Sequence, residues 1–359
     1  MPAPSRMSAP IPPHTHALGA SRLRKPWQVN GALGILLWPL ARMYAAIAAT
    51  HRALYRSGIF PSARLPVPVI VVGNVTVGGG GKTPTVVEIG AHLLAQGYQV
   101  GIVSRGYGRS SADCIEVQPQ DNAERSGDEP VLLRRKLGVP VFVHARRATA
   151  AQALLARYPA TDVIVCDDGL QHYGLYRDVE VCVVDAQGLG NGKLLPAGPL
   201  RQHWPRALLA CAGQRADATL ELHTAGTAQS GAFNAHRKLA PQLVDAQGHA
   251  STWEALRQSP RPIVAVAAIA RPEAFFTMLQ EQGLHLAQTL ALPDHDSFAG
   301  FARHSRSFPP DAVLLCTEKD AAKLWPLHPQ ALAAGLEQHS EPAFFLALDA
   351  LLAQRRAAR

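Results

Sequence analysis

The residues best equipped for chemistry follow one short apolar run. Val67-Pro68-Val69-Ile70-Val71-Val72 is β-branched and runs into Gly73-Asn74-Val75-Thr76-Val77-Gly78-Gly79-Gly80-Gly81-Lys82-Thr83-Pro84. Four consecutive glycines let backbone N–H groups approach an anion closely. A helix starting at the Lys-Thr pair turns its positive end to the same point. In such a loop Thr76, Val77, Gly78, Gly79, Gly80 and Gly81 line a polyphosphate, Lys82 reaches its β- and γ-phosphates, and the Thr83 hydroxyl is a ligand for Mg²⁺. The strict G-x-x-x-x-G-K-[ST] spacing asks for glycine where this chain has Thr76. The pattern points to nucleotide binding and does not name a reaction.

Further along, Val163-Ile164-Val165-Cys166 ends in Asp167-Asp168-Gly169. An acidic residue closing an apolar strand downstream of a phosphate loop is where Mg²⁺ is organised, and two adjacent carboxylates repel unless a cation is near. The competing reading is a plain Asp-Gly turn. Ser126-Gly127-Asp128-Glu129-Pro130 also reads two ways: as a capping box on the helix that follows, or as part of a catalytic site. Arg105, in the loop after a strand, is a phosphate clamp or a surface arginine.

The elements that must carry these residues alternate. Strands are expected at 67–72, 100–103, 139–144, 163–166 and 179–185, with helices from Lys82 to Gln96 and over 149–158. That alternation implies α/β architecture with a parallel sheet and ligands at the carboxyl ends of its strands. Around 213–260 periodicity is lost, reading as small strands or a linker. Alternation resumes with strands at 263–268, 285–292 and 313–316, a helix at 272–282, and a run near Phe344–Leu348 that reads as one more strand.

At 359 residues the chain has room for about two domains. Apolar residues at 47% exclude a disordered chain, and the five scattered cysteines form no zinc or disulfide framework. The net charge of +8 matches the eight basic residues of 1–66, a segment without Asp or Glu, so the rest of the chain is neutral. Nucleic-acid enzymes spread positive charge over a working face, which makes nucleic acid an unexpected partner. Within 31–57, Leu36, Leu40, Met43, Ile47 and Leu54 share one arc of a helical wheel, with Arg42, Arg52 and Arg56 opposite and an interruption at Pro39. A helix lying on an anionic membrane surface, a helix packed on its own protein, and a bilayer span all compete here. The opposed basic face favours the membrane surface.

Taken together, the motifs resemble the tetraacyldisaccharide 4'-kinase family of Gram-negative bacteria. The residues that carry the likeness are the Asn74–Pro84 loop, Ser104-Arg105-Gly106-Tyr107, Gly127-Asp128-Glu129-Pro130, Asp167-Asp168-Gly169-Leu170-Gln171-His172, Leu195-Pro196-Ala197-Gly198-Pro199-Leu200-Arg201, Asp294-His295 and Thr317-Glu318-Lys319-Asp320-Ala321. The resemblance implies ATP- and Mg²⁺-dependent transfer of phosphate to the 4'-hydroxyl of an acylated glucosamine disaccharide lipid. The setting it implies is the cytoplasmic face of the inner membrane. It further implies a P-loop NTPase-like domain, a smaller C-terminal α/β domain with the active site between them, and Asp128 with His295 as catalytic pair beside Lys82, the carboxylate accepting the hydroxyl proton and the histidine orienting or tuning it. Asn74, Arg105, Gln171, His172 and Arg201 become candidates for substrate contact.

Two departures stand out. Gly80 stands where the family commonly has Thr, and Gln202, whose neutral amide is a weaker metal ligand than a carboxylate, where it commonly has Glu. The expected organisation is a flexible basic N-terminus over 1–30, a membrane-associated amphipathic helix over 31–65, a P-loop kinase domain over 66–212, an irregular linker or small strands over 213–260 and the smaller α/β domain over 261–350. The alternative function is a membrane-attached P-loop switch or ATP-dependent carrier that modifies no sugar.

Overall fold

The computed structural model describes residue 27 and residues 32–78, 81–204, 219–225 and 231–357. Helices α1 (Ala32–Leu36) and α2 (Trp38–Arg56) come first among the described elements, broken at Leu37 so that Pro39 sits at the start of α2, where its missing N–H costs nothing. Strand β1 (Val69–Gly73) and helix α3 (Lys82–Ala95) follow, then β2 (Val100–Ser104), β3 (Ile115–Glu116), α4 (Ala123–Ser126), α5 (Asp128–Leu137), β4 (Val141–Val143), α6 (Arg147–Arg157), β5 (Val163–Asp167) and β6 (Val179–Val184). The second half runs β7 (Thr219–His223), β8 (Phe233–Val244), β9 (Ala250–Thr252), α7 (Trp253–Gln258), β10 (Ile263–Ala267), α8 (Pro272–Glu281), β11 (Leu286–Ala291), α9 (Phe301–Ser305), β12 (Val313–Thr317), α10 (Glu318–Leu324), β13 (Leu332–Ser340) and α11 (Pro342–Ala357).

Among the described residues thirteen strands join one sheet, ordered β11-β10-β12-β13-β8-β7-β6-β1-β5-β2-β4-β3, with β9 paired to β8. The run from β8 through β7, β6, β1, β5 and β2 to β4 is parallel, and so is β11-β10-β12-β13. The two runs meet antiparallel where β13 pairs with β8. Strands β1 and β5 are buried along their whole length, which explains why they read as unbroken apolar runs rather than alternating ones.

Their side chains feed two cores. Ile70, Val72 and Val165 pack under α3, α5 and α11, while Val69, Val71 and Ile164 pack under α6 with Tyr44 and Ala45 of α2. The second half has its own pair of cores, around Phe275 and Leu279 on one face and Phe298 and Phe301 on the other.

Phe344–Leu348 is not a strand: it lies within α11. Pro342 opens that helix, and Phe344, Leu348 and Leu352 recur every four residues to form its buried stripe on the first half's core. Among the described residues no helix is long and apolar enough to cross a membrane.

Candidate functional site

Strands β6, β1, β5 and β2 lie side by side, so the loop after Gly73, Asp167 at the end of β5 and Ser104 at the end of β2 emerge at one edge. Gly79 and Gly80 fall outside the described residues. Gly81 takes a left-handed φ of 66° and caps α3, whose first residue, Lys82, is buried. The ammonium of Lys82 lies 2.9 Å from Asp168 Oδ1 and 3.5 Å from Asn74 Oδ1. Asn74 also braces the loop: its amide donates to the Gly78 carbonyl at 3.3 Å, and its own carbonyl accepts from Gln171 Nε2 at 3.1 Å. Arg201 reaches Asp168 Oδ1 at 3.6 Å. From outside, the 199–201 segment holds the loop through Val77 N–H to Pro199 at 2.9 Å, Arg201 N–H to Val75 at 2.7 Å, and a bridge between Thr76 and Leu200. Lys82, Asn74, Asp168, Gln171 and Arg201 thus form one group, with Thr83 in the first turn of α3.

Asp167 is buried; its Oδ2 accepts from Ser104 Oγ at 3.2 Å and its Oδ1 has no partner. Burial, reinforced by the charges of Glu129 and Asp168, pushes its carboxyl up to about 7, against the pull of Lys82. For Asp168 burial works the same way, but Lys82 and Arg201 outweigh it and hold that carboxyl below its ordinary value. An orphaned buried carboxylate oxygen with a second carboxylate next to it in the chain offers hard oxygen donors, which fit Mg²⁺. Asp168 has φ 51°, a backbone conformation that non-glycine residues rarely adopt outside turns and functional sites. Gln202, at the position of the second departure, is buried, with Oε1 accepting from Gln171 at 3.4 Å and from Tyr173 at 3.5 Å, while its Nε2 has no partner.

Asp128 and His295, 167 residues apart, meet. His295 Nδ1 lies 3.0 Å from Asp128 Oδ2, and Asp128 is buried at 3% exposure. Lys323 reaches the same oxygen at 3.1 Å and Lys319 at 3.8 Å. Burial opposes ionisation of Asp128, but the His295 hydrogen bond and the two ammonium groups overcome it and hold the carboxyl well below the usual range. An ionised carboxylate only accepts, so Nδ1 carries a proton, and in the neutral form of the ring the lone pair is then on Nε2. Nε2 lies 3.4 Å from Lys319 Nζ, and the Tyr107 ring centroid is 5.0 Å from that of His295. His295, like Asp168, has a positive φ, here 64°.

Glu129 connects the two groups: it pairs with Lys319 at 3.3 Å and its charge acts on Asp167. The capping-box reading of Ser126 does not hold. Gly127 caps α5 without a side-chain bond, and Ser126 Oγ donates to Asp121 at 2.6 Å. Arg105 is exposed after β2, and His172 Nε2 accepts from the Arg147 N–H at 3.3 Å. Burial, with Arg147 and Arg177 close by, pulls the His172 imidazole down to about 4.

Lys323, Ser104 and Glu129 were not singled out as site residues by sequence reasoning. Lys323 had a signal, since it lies one helical turn beyond Lys319 and therefore on the same face. Ser104 and Glu129 sat inside motifs already noted.

Comparison with known proteins points the same way. The family described as tetraacyldisaccharide-1-P 4'-kinase matches residues 33–354. A relative named tetraacyldisaccharide 4'-kinase from Acidovorax ebreus is 52% identical over 338 residues, spanning 93% of this chain and 95% of the relative. One of the same name from Delftia acidovorans is 46% identical over 350 residues, spanning 97% and 100%. Among solved structures, LpxK from Aquifex aeolicus in complex with ATP superposes with a TM-score of 0.73 at 27% identity, covering 90% of this chain and 99% of that one.

Proposed function

Because this chain belongs to the tetraacyldisaccharide-1-P 4'-kinase family, and is thus an ATP-using kinase of lipid A biosynthesis, we propose that the cluster just described is where its phosphate changes hands. On this reading the Thr76–Gly81 backbone and Lys82 hold the β- and γ-phosphates of ATP. Thr83, Asp167 and Asp168 hold Mg²⁺, which when bound offsets the negative charge of the phosphates. Asn74, Gln171 and Arg201 keep the cradle and Asp168 in register. The contact between Asp128 and His295 carries the assignment of chemistry, because it turns two distant residues into an oriented base.

Phosphoryl transfer asks a protein chiefly for alignment and for a late proton acceptor. Held well below the usual range, Asp128 is a poor acceptor, whereas the imidazole it orients has a lone pair at Nε2, which Lys319 contacts at 3.4 Å until the hydroxyl takes its place. The 4'-oxygen of the disaccharide forms a bond to the γ-phosphorus, the bond from that phosphorus to the β-bridging oxygen breaks, and the hydroxyl proton passes to Nε2. Asp128 stays ionised and stabilises the imidazolium that results. Lys319, 3.4 Å from Nε2 and paired with Glu129 and Asp294, disfavours protonation of the imidazole before the hydroxyl arrives.

The acceptor carries acyl chains, and the proposed location is the cytoplasmic face of the inner membrane. Support comes from α1, α2 and the turn after them, where Ile35, Leu36, Trp38, Leu40, Met43, Ile47, Ile59 and Phe60 are exposed near Arg42, Arg52 and Arg56. Exposed apolar residues beside a basic face suit a helix seated at the level of anionic headgroups. Nucleic acid has no place in this scheme.

Transfer of labelled γ-phosphate from ATP to a purified tetraacyl disaccharide 1-phosphate tests the proposal. We expect transfer with wild-type protein and Mg²⁺, and its loss in Lys82→Ala and Asp128→Ala. Undiminished transfer in both variants would exclude these residues from the reaction.

A further inference from the structure

Arg237 belongs to no motif and lies on β8, 156 residues from Gly81, yet its guanidinium donates to the Gly81 carbonyl at 2.8 Å. Nε and the same Nη2 both donate to Gln338 Oε1 at 3.1 Å, from the residue directly opposite on β13. Gln338 in turn donates from Nε2 to Thr85 Oγ at 3.0 Å and to Glu88 Oε2 at 2.9 Å, both on α3. Glu88 accepts from the Ser340 N–H at 2.6 Å and its hydroxyl at 2.7 Å. The helix that begins the phosphate cradle is therefore laced to β8 and β13, the pair that joins the two runs of the sheet.

The placement of the charge is unusual. The first turn of a helix carries a positive end, so a guanidinium there opposes the helix dipole. Lys82 adds another cation, and Arg271, paired with Asp185 at 3.1 Å, lines the cleft beside Thr76, Val77 and Gly78. Positive charge gathered on a positive helix end has the wrong sign for the helix and the right sign for a polyphosphate. The hydrogen bond adds direction. In a planar trans peptide the Gly81 carbonyl and the Lys82 N–H point opposite ways, so fixing the carbonyl aims that N–H. The guanidinium also lies against the Gly81 α-carbon so closely that a Cβ there would overlap it.

From these contacts we infer that Arg237 is a positioning residue for ATP. It holds the Gly81–Lys82 peptide in the orientation that binds phosphate and ties the cradle to β8 and β13, where the two runs of the sheet join. The inference rests on the reading of Thr76–Thr83 as the phosphate site, so its test carries a control for that reading.

In full-length protein, ATP binding with Mg²⁺ but no lipid is measured calorimetrically for Arg237→Met, Arg237→Lys and Lys82→Ala. The KM values for ATP and for lipid are measured alongside, with melting temperature as a check on folding. Arg237→Met is expected to raise the ATP Kd and KM about 10- to 100-fold, the scale of one lost hydrogen bond to a charged group. Its KM for lipid should move less than about threefold on the same reasoning, since the contact lies at the nucleotide side. Lysine keeps the charge without the fork, so Arg237→Lys should recover part of the affinity.

Wild-type ATP affinity in folded Arg237→Met, with affinity lost in Lys82→Ala, overturns the inference and leaves the cradle reading standing. Wild-type affinity in Lys82→Ala overturns both. Should Arg237→Met fail to fold, the lysine variant decides: a raised KM for ATP alone supports the inference, and an unchanged one refutes it.

Discussion

Replacing His295 by alanine removes the proposed proton acceptor and leaves its surroundings nearly intact. Asp128 keeps Lys323 at 3.1 Å and Lys319 at 3.8 Å as charge partners, so the buried carboxylate is not stranded. A positioned general base contributes about 10²- to 10⁴-fold to rate, or about 2.7–5.4 kcal/mol of barrier. The expected result is a kcat lower by that factor, an ATP KM within about twofold, and a melting temperature close to wild type. Asp128→Asn perturbs the same pair from its other end and should behave differently. An amide facing Nδ1 can donate, which moves the imidazole proton to Nε2 and silences the base. It also removes the shared anion of Lys319, Lys323 and His295. Breaking a buried ion pair from one side costs about 3–5 kcal/mol, and the partial exposure of the three partners, at 18%, 12% and 25%, places this case near the lower figure. At about 2 °C per kcal/mol for a large domain, Asp128→Asn should melt about 6 °C below wild type and lose activity as well. Single-turnover transfer of labelled phosphate at saturating ATP, paired with thermal unfolding, reads both quantities. A His295→Ala enzyme retaining kcat within threefold of wild type would end the role assigned to Nε2.

Other consequences follow from the same geometry. Asp167 is ionised with difficulty in the fold, its carboxyl lying at about 7 against an ordinary 3.8. The folded state therefore binds more protons than the unfolded state between those values, and stability falls as pH rises through that window. In EDTA at pH 8, Asp167→Asn should melt higher than wild type, while Mg²⁺-dependent ATP binding is lost; a lower melting temperature would contradict the burial argument. His172 runs the other way. Its imidazole lies at about 4 against an ordinary 6.5, so the unfolded state takes up the proton first and stability falls as pH drops from about 6.5 to about 4. Urea unfolding of His172→Gln should show a shallower loss of stability across that range, and an unchanged slope would refute the assignment. Glutamate at Leu40, Met43 and Ile47 together should release the protein from vesicles containing anionic lipid while leaving ATP binding intact, as measured by sedimentation and calorimetry. Retention on vesicles would show that this face is not the contact.

How much of this could be read in advance differs sharply between the halves of the site. The cradle and Asp167-Asp168 were legible because parallel strands buried on both faces are continuous apolar runs, and each run delivers its last residue to the same edge. Asp128 and His295 could be named only by resemblance. Bringing them together takes the antiparallel seam of β8 and β13, which turns the second half of the sheet back toward the first, and nothing local to either residue encodes that seam. The run Phe344–Leu348 misled for a related reason, since a few apolar residues in a row have no resolvable period until the spacing of Phe344, Leu348 and Leu352 is taken as a whole. Arg237 lies beyond such reasoning altogether. Its strand, Phe-Asn-Ala-His-Arg-Lys-Leu-Ala-Pro-Gln-Leu-Val, mixes polar and apolar positions and contains a proline. The arginine's partner was selected by a cross-strand register that pairs it with Gln338. A residue that acts through a backbone carbonyl on another segment leaves no mark in its own neighbourhood. The part of the site that touches phosphate is thus written in short motifs, while the part that aims those motifs exists only once the register of distant strands is set.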